Sequence, residues 1–392
     1  MGHITGSKSH LVPLIDRLNR YPIGLVDNEI LREILSILFT KEEAYVASRF
    51  PLEEATLSEM SAATSIAETE LLPILESLAN KGIVTDTPYG GETYYFLMPG
   101  VIGFFEFTFM KNRSDIPLDK VARLMEEYFH YNGKNGQIGE FFGSKTQLTR
   151  SLVYEDHVPI SSEVVSFESA KKIIENASFG SAGMCFCRHK REHEKKTCKK
   201  GAPVEDICIT LGKGAEFFVR RGFAKEKTKE ELIEIIEQAQ DLNLTHVTDN
   251  IRGRPSFICN CCGCCCEIMQ GVQAGYYNGV AKTSFIAVID SDKCTYCGQC
   301  FGACNVKAIR PKKNAQNDKN RLVSEVKQEV CLGCGACISS CPEGAIKLIP
   351  RTNYKKPVKS KKEMFIRILW EKNRLSPFLI SRVKKSFRNL MK

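Results

Sequence analysis

Between residues 28 and 81 apolar positions recur three and four apart with charged residues between them, the period of an amphipathic helix. The pattern predicts helices over 28–39, 41–49, 57–64 and 68–81, the last capped by Gly82. The run IVTDT, a turn at PYGGE and the run TYYFLM then read as a β-hairpin. The apolar segment LMPGVIGFFEFTFM, with four phenylalanines, is expected to pack in a core. Residues 116–150 begin helical and turn glycine-containing, and further helices are expected over 163–177 and 228–242. After residue 353 a Lys-rich linker leads into two short amphipathic helices around Pro377. Leu379, Val383, Phe387 and Leu390 form the apolar stripe of the second.

Composition separates these regions. Residues 27–110 carry fourteen Asp/Glu against Arg32, Lys41, Arg49 and Lys81, a net of −10. Residues 351–392 carry fourteen Lys/Arg against Glu363 and Glu371, a net of +12. The overall +9 is therefore a tail property and no nucleic-acid footprint for the whole chain. The tail is expected to dock a membrane surface or an acidic partner, or to pack on its own domain, with Trp370 serving either. No run reaches the 18 apolar residues of a spanning helix. The start MGHITGSKSHLVPL lacks the apolar run of a secretory signal. No glycine motif of a dinucleotide or P-loop site stands in register after a strand.

Eighteen cysteines change the picture most. In a long, unsignalled, Lys- and Glu-rich chain they point to metal ligation in a reducing cytoplasm rather than to disulfides. Eight of them form a repeat. VIDSDKCTYCGQCFGACNVKAIRP (288–311) and SEVKQEVCLGCGACISSCPEGAIKLIP (324–350) each contain Cys-x2-Cys-x2-Cys-x3-Cys. Thiols at every third residue of a tight loop wrap three irons of a cubane, and the fourth ligand must come from elsewhere. Gly298, Gly302, Gly333, Gly335 and Ala336 let the backbone approach.

Residues 284–350 therefore resemble the bacterial two-cluster 4Fe-4S ferredoxin domain. The resemblance implies that Cys294, Cys297, Cys300 and Cys341 hold one cluster, and Cys331, Cys334, Cys337 and Cys304 the other. The chain departs from that pattern in two places. Asn305, not proline, follows Cys304, whereas Pro342 follows Cys341. The polar insert PKKNAQNDKNR between the repeats is expected to be a surface loop.

The other ten cysteines are Cys185, Cys187, Cys198 and Cys208, and, within ICNCCGCCCE, Cys259, Cys261, Cys262, Cys264, Cys265 and Cys266. Cys185 and Cys187 reach one metal together if they alternate along a strand. The leading expectation is one or two further iron–sulfur clusters. The second is zinc with His189 or His193, whose mutual spacing fits zinc although the cysteines are closer than its usual Cys-x2–4-Cys. The third is a metal-free redox or substrate-handling thiol group. Basic neighbours such as Arg188 and Lys200 favour thiolates.

The arrangement CFCRHK…C…C, then ICNCCGCCC, then two ferredoxin motifs resembles a family of cytoplasmic ferredoxin-type proteins of anaerobic bacteria. These carry a winged-helix-like front and a cysteine-rich middle. The resemblance implies iron–sulfur electron transfer with a redox protein or an oxidoreductase subunit as partner, and it supplies no substrate.

The expectation is an α+β chain in four parts. These are a helical, winged-helix-like domain (1–115), a helical, mixed cysteine-rich middle (116–283), a two-cluster ferredoxin domain (284–350) and a basic amphipathic tail (351–392). It is cytoplasmic or peripheral at the inner membrane face. It is an electron-transfer component rather than a stand-alone enzyme. Two rivals remain: a reductase using the Cys259–Cys266 stretch as its catalytic metal centre, and a redox-sensing regulator that binds DNA. The acidic front, with Glu68, Glu70 and Glu76 on the candidate reading helix and Lys81 alone at its end, weighs against DNA.

Overall fold

The computed structural model describes residues 8–158, 167–313 and 322–375. Helix and strand are mixed throughout, an α+β chain. The front helices are Glu29–Leu38, Lys41–Arg49, Leu57–Thr64 and Glu68–Asn80, where the periodicity puts them. Asn28 caps the first, and Thr40 and Thr56 each form a capping box with the glutamate three residues on. Each such cap contributes about 1 kcal/mol. Gly82, at φ 73°, ends the last helix in the left-handed conformation that glycine adopts without strain. The hairpin Val84–Tyr89 and Glu92–Leu97 follows, with Ala55–Thr56 paired to its second strand.

The buried faces of these helices (Leu31, Ile34, Leu71, Leu75) share a core with Phe104, Phe105 and Phe109. The apolar segment packs as expected, with one exception. Phe107 leaves that core and meets Phe218 and Phe223 of the middle region.

Electrostatic contacts also join front to middle. Arg221 donates to Glu76 at 2.7 Å and to Asp86 at 2.9 Å. Glu76 lies on the helix Glu68–Asn80 and Asp86 on the hairpin, so the chain itself covers part of that surface. Lys81, the C-cap residue of that helix, is paired with Glu43 at 2.7 Å.

The middle differs from its expected helical character, because its organising element is a seven-stranded sheet. The strands lie in the order Val280–Ala281, Thr149–Ser151, Thr245–Asp249, Phe257–Cys261, Cys208–Leu211, Gly180–Gly183 and Ala224–Glu226. All neighbours pair antiparallel except the first two. The strands are short, and one reads GSAG, which neither alternation nor a β-branched residue announces. The helix expected over 163–177 is shorter, Ala170–Glu175 with Ser169 as its cap, and residues 163–166 of that expectation lie outside the described residues. The helix expected over 228–242 spans Lys229–Asp241, started by a capping box at Thr228.

The C-terminal cysteine repeat forms two antiparallel ribbons. Phe285–Ile289 pairs with Ile346–Pro350, and Ile309–Lys313 pairs with Leu322–Val326. The centre of the polar insert, 314–321, lies outside the described residues. The described part of the tail packs on its own chain. Helix Lys361–Glu371 buries Met364, Ile368 and Leu369, while Trp370 is 70% exposed. Glu371 accepts from Thr146, and Arg374 pairs with Glu140 at 2.7 Å. The stripe of Leu379, Val383, Phe387 and Leu390 lies outside the described residues. No described helix is long and apolar enough to cross a membrane.

Candidate metal centres

Among the described residues no two cysteines form a disulfide, and the fold sorts the ten of the middle into two groups. Strand Phe257–Cys261 carries Cys259 and Cys261 on one face, since side chains alternate along a strand. The chain then turns through Cys262, Gly263, Cys264 and Cys265. Cys266 is the N-cap of helix Glu267–Gln273. Cys185 caps helix Phe186–His193, and Cys187 sits in its first turn. The pair is thus brought together by a helix start rather than by the extended strand that the spacing suggests. Cys185, Cys187, Cys208, Cys259, Cys261 and Cys266 line one cavity of about 450 Å³, together with Cys262 and Cys265. Cys208 and Cys259 stand 3.7 Å apart in it.

The second group is tighter. The sulfurs of Cys198, Cys262, Cys264 and Cys265 all lie within 4.8 Å of one another. Neither histidine joins them. His189 Nδ1 contacts the Phe109 carbonyl at 2.8 Å, His193 Nδ1 contacts Asp119, and the two rings meet at 3.2 Å. His189 is thus held by the front domain and His193 by the first turn of helix Leu118–His130.

Cations stand among these thiols. Arg188 is 2% exposed, and no carboxylate lies within ion-pair distance of it among the described residues. It donates to the Asn260 carbonyl at 2.8 Å, and its guanidinium is raised by Cys185, Cys262 and Cys198, which outweigh its burial. A buried charge needs a partner of opposite sign. The thiols are the groups that can supply it. Burial lowers Lys200, while Cys262, Cys334, Cys304 and Cys264 pull it the other way. It donates to the Asn243 carbonyl at 2.9 Å and the Ala303 carbonyl at 3.3 Å. Within the thiol groups, hydrogen bonds from Cys208 and Cys261 hold Cys259 down to about 5, and Cys262 is pushed up to about 12 by its bond with Cys198. Thiols this crowded cannot all ionise without a bound cation, so the donor chemistry fits metal ligation.

An ion-pair network fixes the two helices that carry Cys187 and Cys266. Lys190, 1% exposed, reaches Glu126 at 2.7 Å and Glu267 at 2.8 Å, and Arg191 reaches Glu126 at 3.0 Å. Glu126 belongs to helix Leu118–His130, so the network also anchors the front domain.

In the C-terminal repeat, Cys294, Cys297, Cys300 and Cys341 line one cavity of about 320 Å³. Ser324 N–H points at Cys294 Sγ (3.5 Å) and Ala345 N–H at Cys341 Sγ (3.3 Å). The first repeat mirrors the last contact, with Ala308 N–H 3.2 Å from Cys304 Sγ. Burial pushes Cys304 up to about 11, with Cys334 and Cys331 adding to it. Burial also raises Cys337, with Cys334, Cys304 and Cys331 beside it. Cys297 is the exposed member of all eighteen.

A family model described as 4Fe-4S dicluster domain matches residues 287–348. No curated protein and no solved structure matches the chain. The dicluster domain and the thiol groups give this protein an iron–sulfur electron-transfer role.

The dicluster domain is bonded to the backbone and side chains that flank the middle thiols. Thr245 Oγ1 donates to Cys334 Sγ at 3.7 Å, and Thr245 is the strand partner of Cys261. Asn305, the residue in place of proline, is 3% exposed. Its Nδ2 donates to the Asn243 carbonyl at 2.7 Å and to Thr245 Oγ1 at 3.0 Å. Its Oδ1 accepts from Gly263 N–H at 3.0 Å. Sequence reasoning noticed Asn305 only as a departure. It missed Thr245, which carries no motif, and it treated Arg188 as one basic neighbour among several.

Proposed function

We propose that this chain passes single electrons between a partner redox protein and an iron–sulfur centre in its middle region, through the dicluster domain. In this reading Cys294, Cys297, Cys300 and Cys341 hold one 4Fe-4S cluster, and Cys304, Cys331, Cys334 and Cys337 hold the other. Iron–sulfur clusters at such sites supply reversible one-electron chemistry, with potentials set by ligation, hydrogen bonds to sulfur and burial. The six-thiol cavity holds the third centre; six thiols exceed the four of a cubane. The observation that carries the reading is Thr245, in contact with Cys334 and paired with Cys261.

The remaining residues have supporting roles. Exposed Cys297 marks where a partner approaches the first set. N–H groups of Ser324, Ala345 and Ala308 donate to ligand sulfurs and ease their negative charge. The front, with helices followed by a hairpin, is read as a winged-helix-like docking and scaffolding module. The bonds of Arg221 to Glu76 and Asp86, and of Lys81 to Glu43, favour that role over DNA binding.

The test is a stepwise reductive titration of the anaerobically purified chain, followed by electron paramagnetic resonance. Three spin-coupled reducible centres are expected. Two centres with no third signal, and no iron beyond the eight of two cubanes, would remove the middle region from the electron path.

A further inference from the structure

The four-thiol group is the one thiol set among the described residues whose four sulfurs all lie within 4.8 Å of one another; elsewhere Cys208 and Cys259 approach to 3.7 Å, but as a pair. Cys198 Sγ lies 3.6 Å from Cys262 Sγ and 3.8 Å from Cys264 Sγ, and Cys264 Sγ lies 3.7 Å from Cys265 Sγ. Three ways of bringing thiols together make different demands. A disulfide sets sulfurs about 2 Å apart. A cubane places each cysteine sulfur beyond its own iron corner, roughly 6 Å from the next. Four sulfurs on one zinc, each at about 2.3 Å, stand about 3.8 Å apart along the tetrahedron edges. Only the last agrees with the spacings here.

We propose that Cys198, Cys262, Cys264 and Cys265 hold a single Zn²⁺ ion, separate from the iron–sulfur centres. The donor set is four thiols with no further ligand, the closed arrangement of a structural zinc. Cys262 and Cys265 also line the neighbouring cavity, whereas Cys198 and Cys264 do not, so these two are the ligands that report on the four-thiol site alone. Three of the four thiols come from one turn, and Cys198 comes from the segment between helix Phe186–His193 and strand Cys208–Leu211. An ion there clips that segment to the turn after Cys261. Gly263, within the turn, is held by Asn305 of the dicluster domain. The site is thus a joint between three pieces of chain, placed beside the electron path and not in it.

The test uses the full chain purified without oxygen, and counts zinc, iron and acid-labile sulfide. About one zinc per chain is expected. Zinc-edge X-ray absorption of the unaltered protein is expected to show four sulfur neighbours at about 2.3 Å, a readout that needs no variant. In Cys264→Ser and Cys198→Ser zinc falls to background while iron, sulfide and the paramagnetic signals stay unchanged. Absence of zinc from the unaltered protein would overturn the proposal, as would iron and sulfide falling together in either variant. Neither result bears on the electron-transfer reading, which stands or falls on the reducible centres of the unaltered chain.

Discussion

Asn305 Oδ1 accepts a hydrogen bond from Gly263 N–H at 3.0 Å, across the boundary between the dicluster domain and the turn that carries Cys262, Cys264 and Cys265. The same side chain bonds Asn243 and Thr245, and it is buried. Removing it leaves a part-buried N–H and a part-buried carbonyl without their partner, each costing at most about 1–3 kcal/mol. Asn305→Ala is therefore expected to loosen residues 262–265 while the ribbons of the dicluster domain stay intact. Hydrogen exchange followed by mass spectrometry checks it. Unchanged protection of that turn would show that Asn305 is no latch.

Thr245 gives the next prediction. Its hydroxyl donates to Cys334 Sγ, and hydrogen bonds to ligand sulfur raise a cluster's potential by stabilising the reduced, more negative state. Thr245→Val keeps the shape and removes the donor. The potential of the centre at Cys304, Cys331, Cys334 and Cys337 is expected to fall by on the order of tens of millivolts. Iron content stays constant. A redox titration monitored by paramagnetic resonance reads the shift.

The front helices and the hairpin were legible in the sequence because local rules decide them. Caps at Asn28, Thr40 and Thr56, apolar period and Gly82 all point the same way. The dicluster repeat was legible because a cluster demands fixed thiol spacing. The seven-stranded sheet was not, because strands such as Gly180–Gly183 owe their state to neighbours far along the chain. The split of ICNCCGCCC into two thiol groups was hidden for a related reason. It depends on where strand Phe257–Cys261 stops and helix Glu267–Gln273 begins, and on Cys198 arriving from sixty-four residues away.

Glu126 predicts a pH dependence. Burial alone would raise its carboxyl, but Lys190 and Arg191 outweigh it and hold the pKa down to about 2. A depressed carboxyl pKa contributes stability above the unfolded value, about 4.5, and loses it as pH falls toward the folded one. Protection of helix Leu118–His130 from exchange is expected to be greater in the unaltered chain than in Glu126→Gln at pH 7. That advantage shrinks as pH drops from about 4.5 toward about 2. An advantage that grows on acidification would refute the ion-pair account.

Arg188 bears on whether the middle thiols are charged at all. It is a buried cation whose anionic neighbours are sulfur atoms, with Cys185 on one side and Cys198 and Cys262 on the other. If the middle thiols were neutral and metal-free, removing its charge would relieve an unpaired buried ion, and Arg188→Gln would be stabilised or unchanged. If they are thiolates around metal, the same change leaves negative charge uncompensated, at a cost of about 3–5 kcal/mol. The second outcome is expected. Arg188→Gln should lose metal from the middle region while the two dicluster signals persist, since no sulfur of that domain is among the groups acting on Arg188. Metal analysis and paramagnetic resonance on the same sample separate the cases. A variant with full metal and raised stability would mean that the middle cysteines are ordinary thiols.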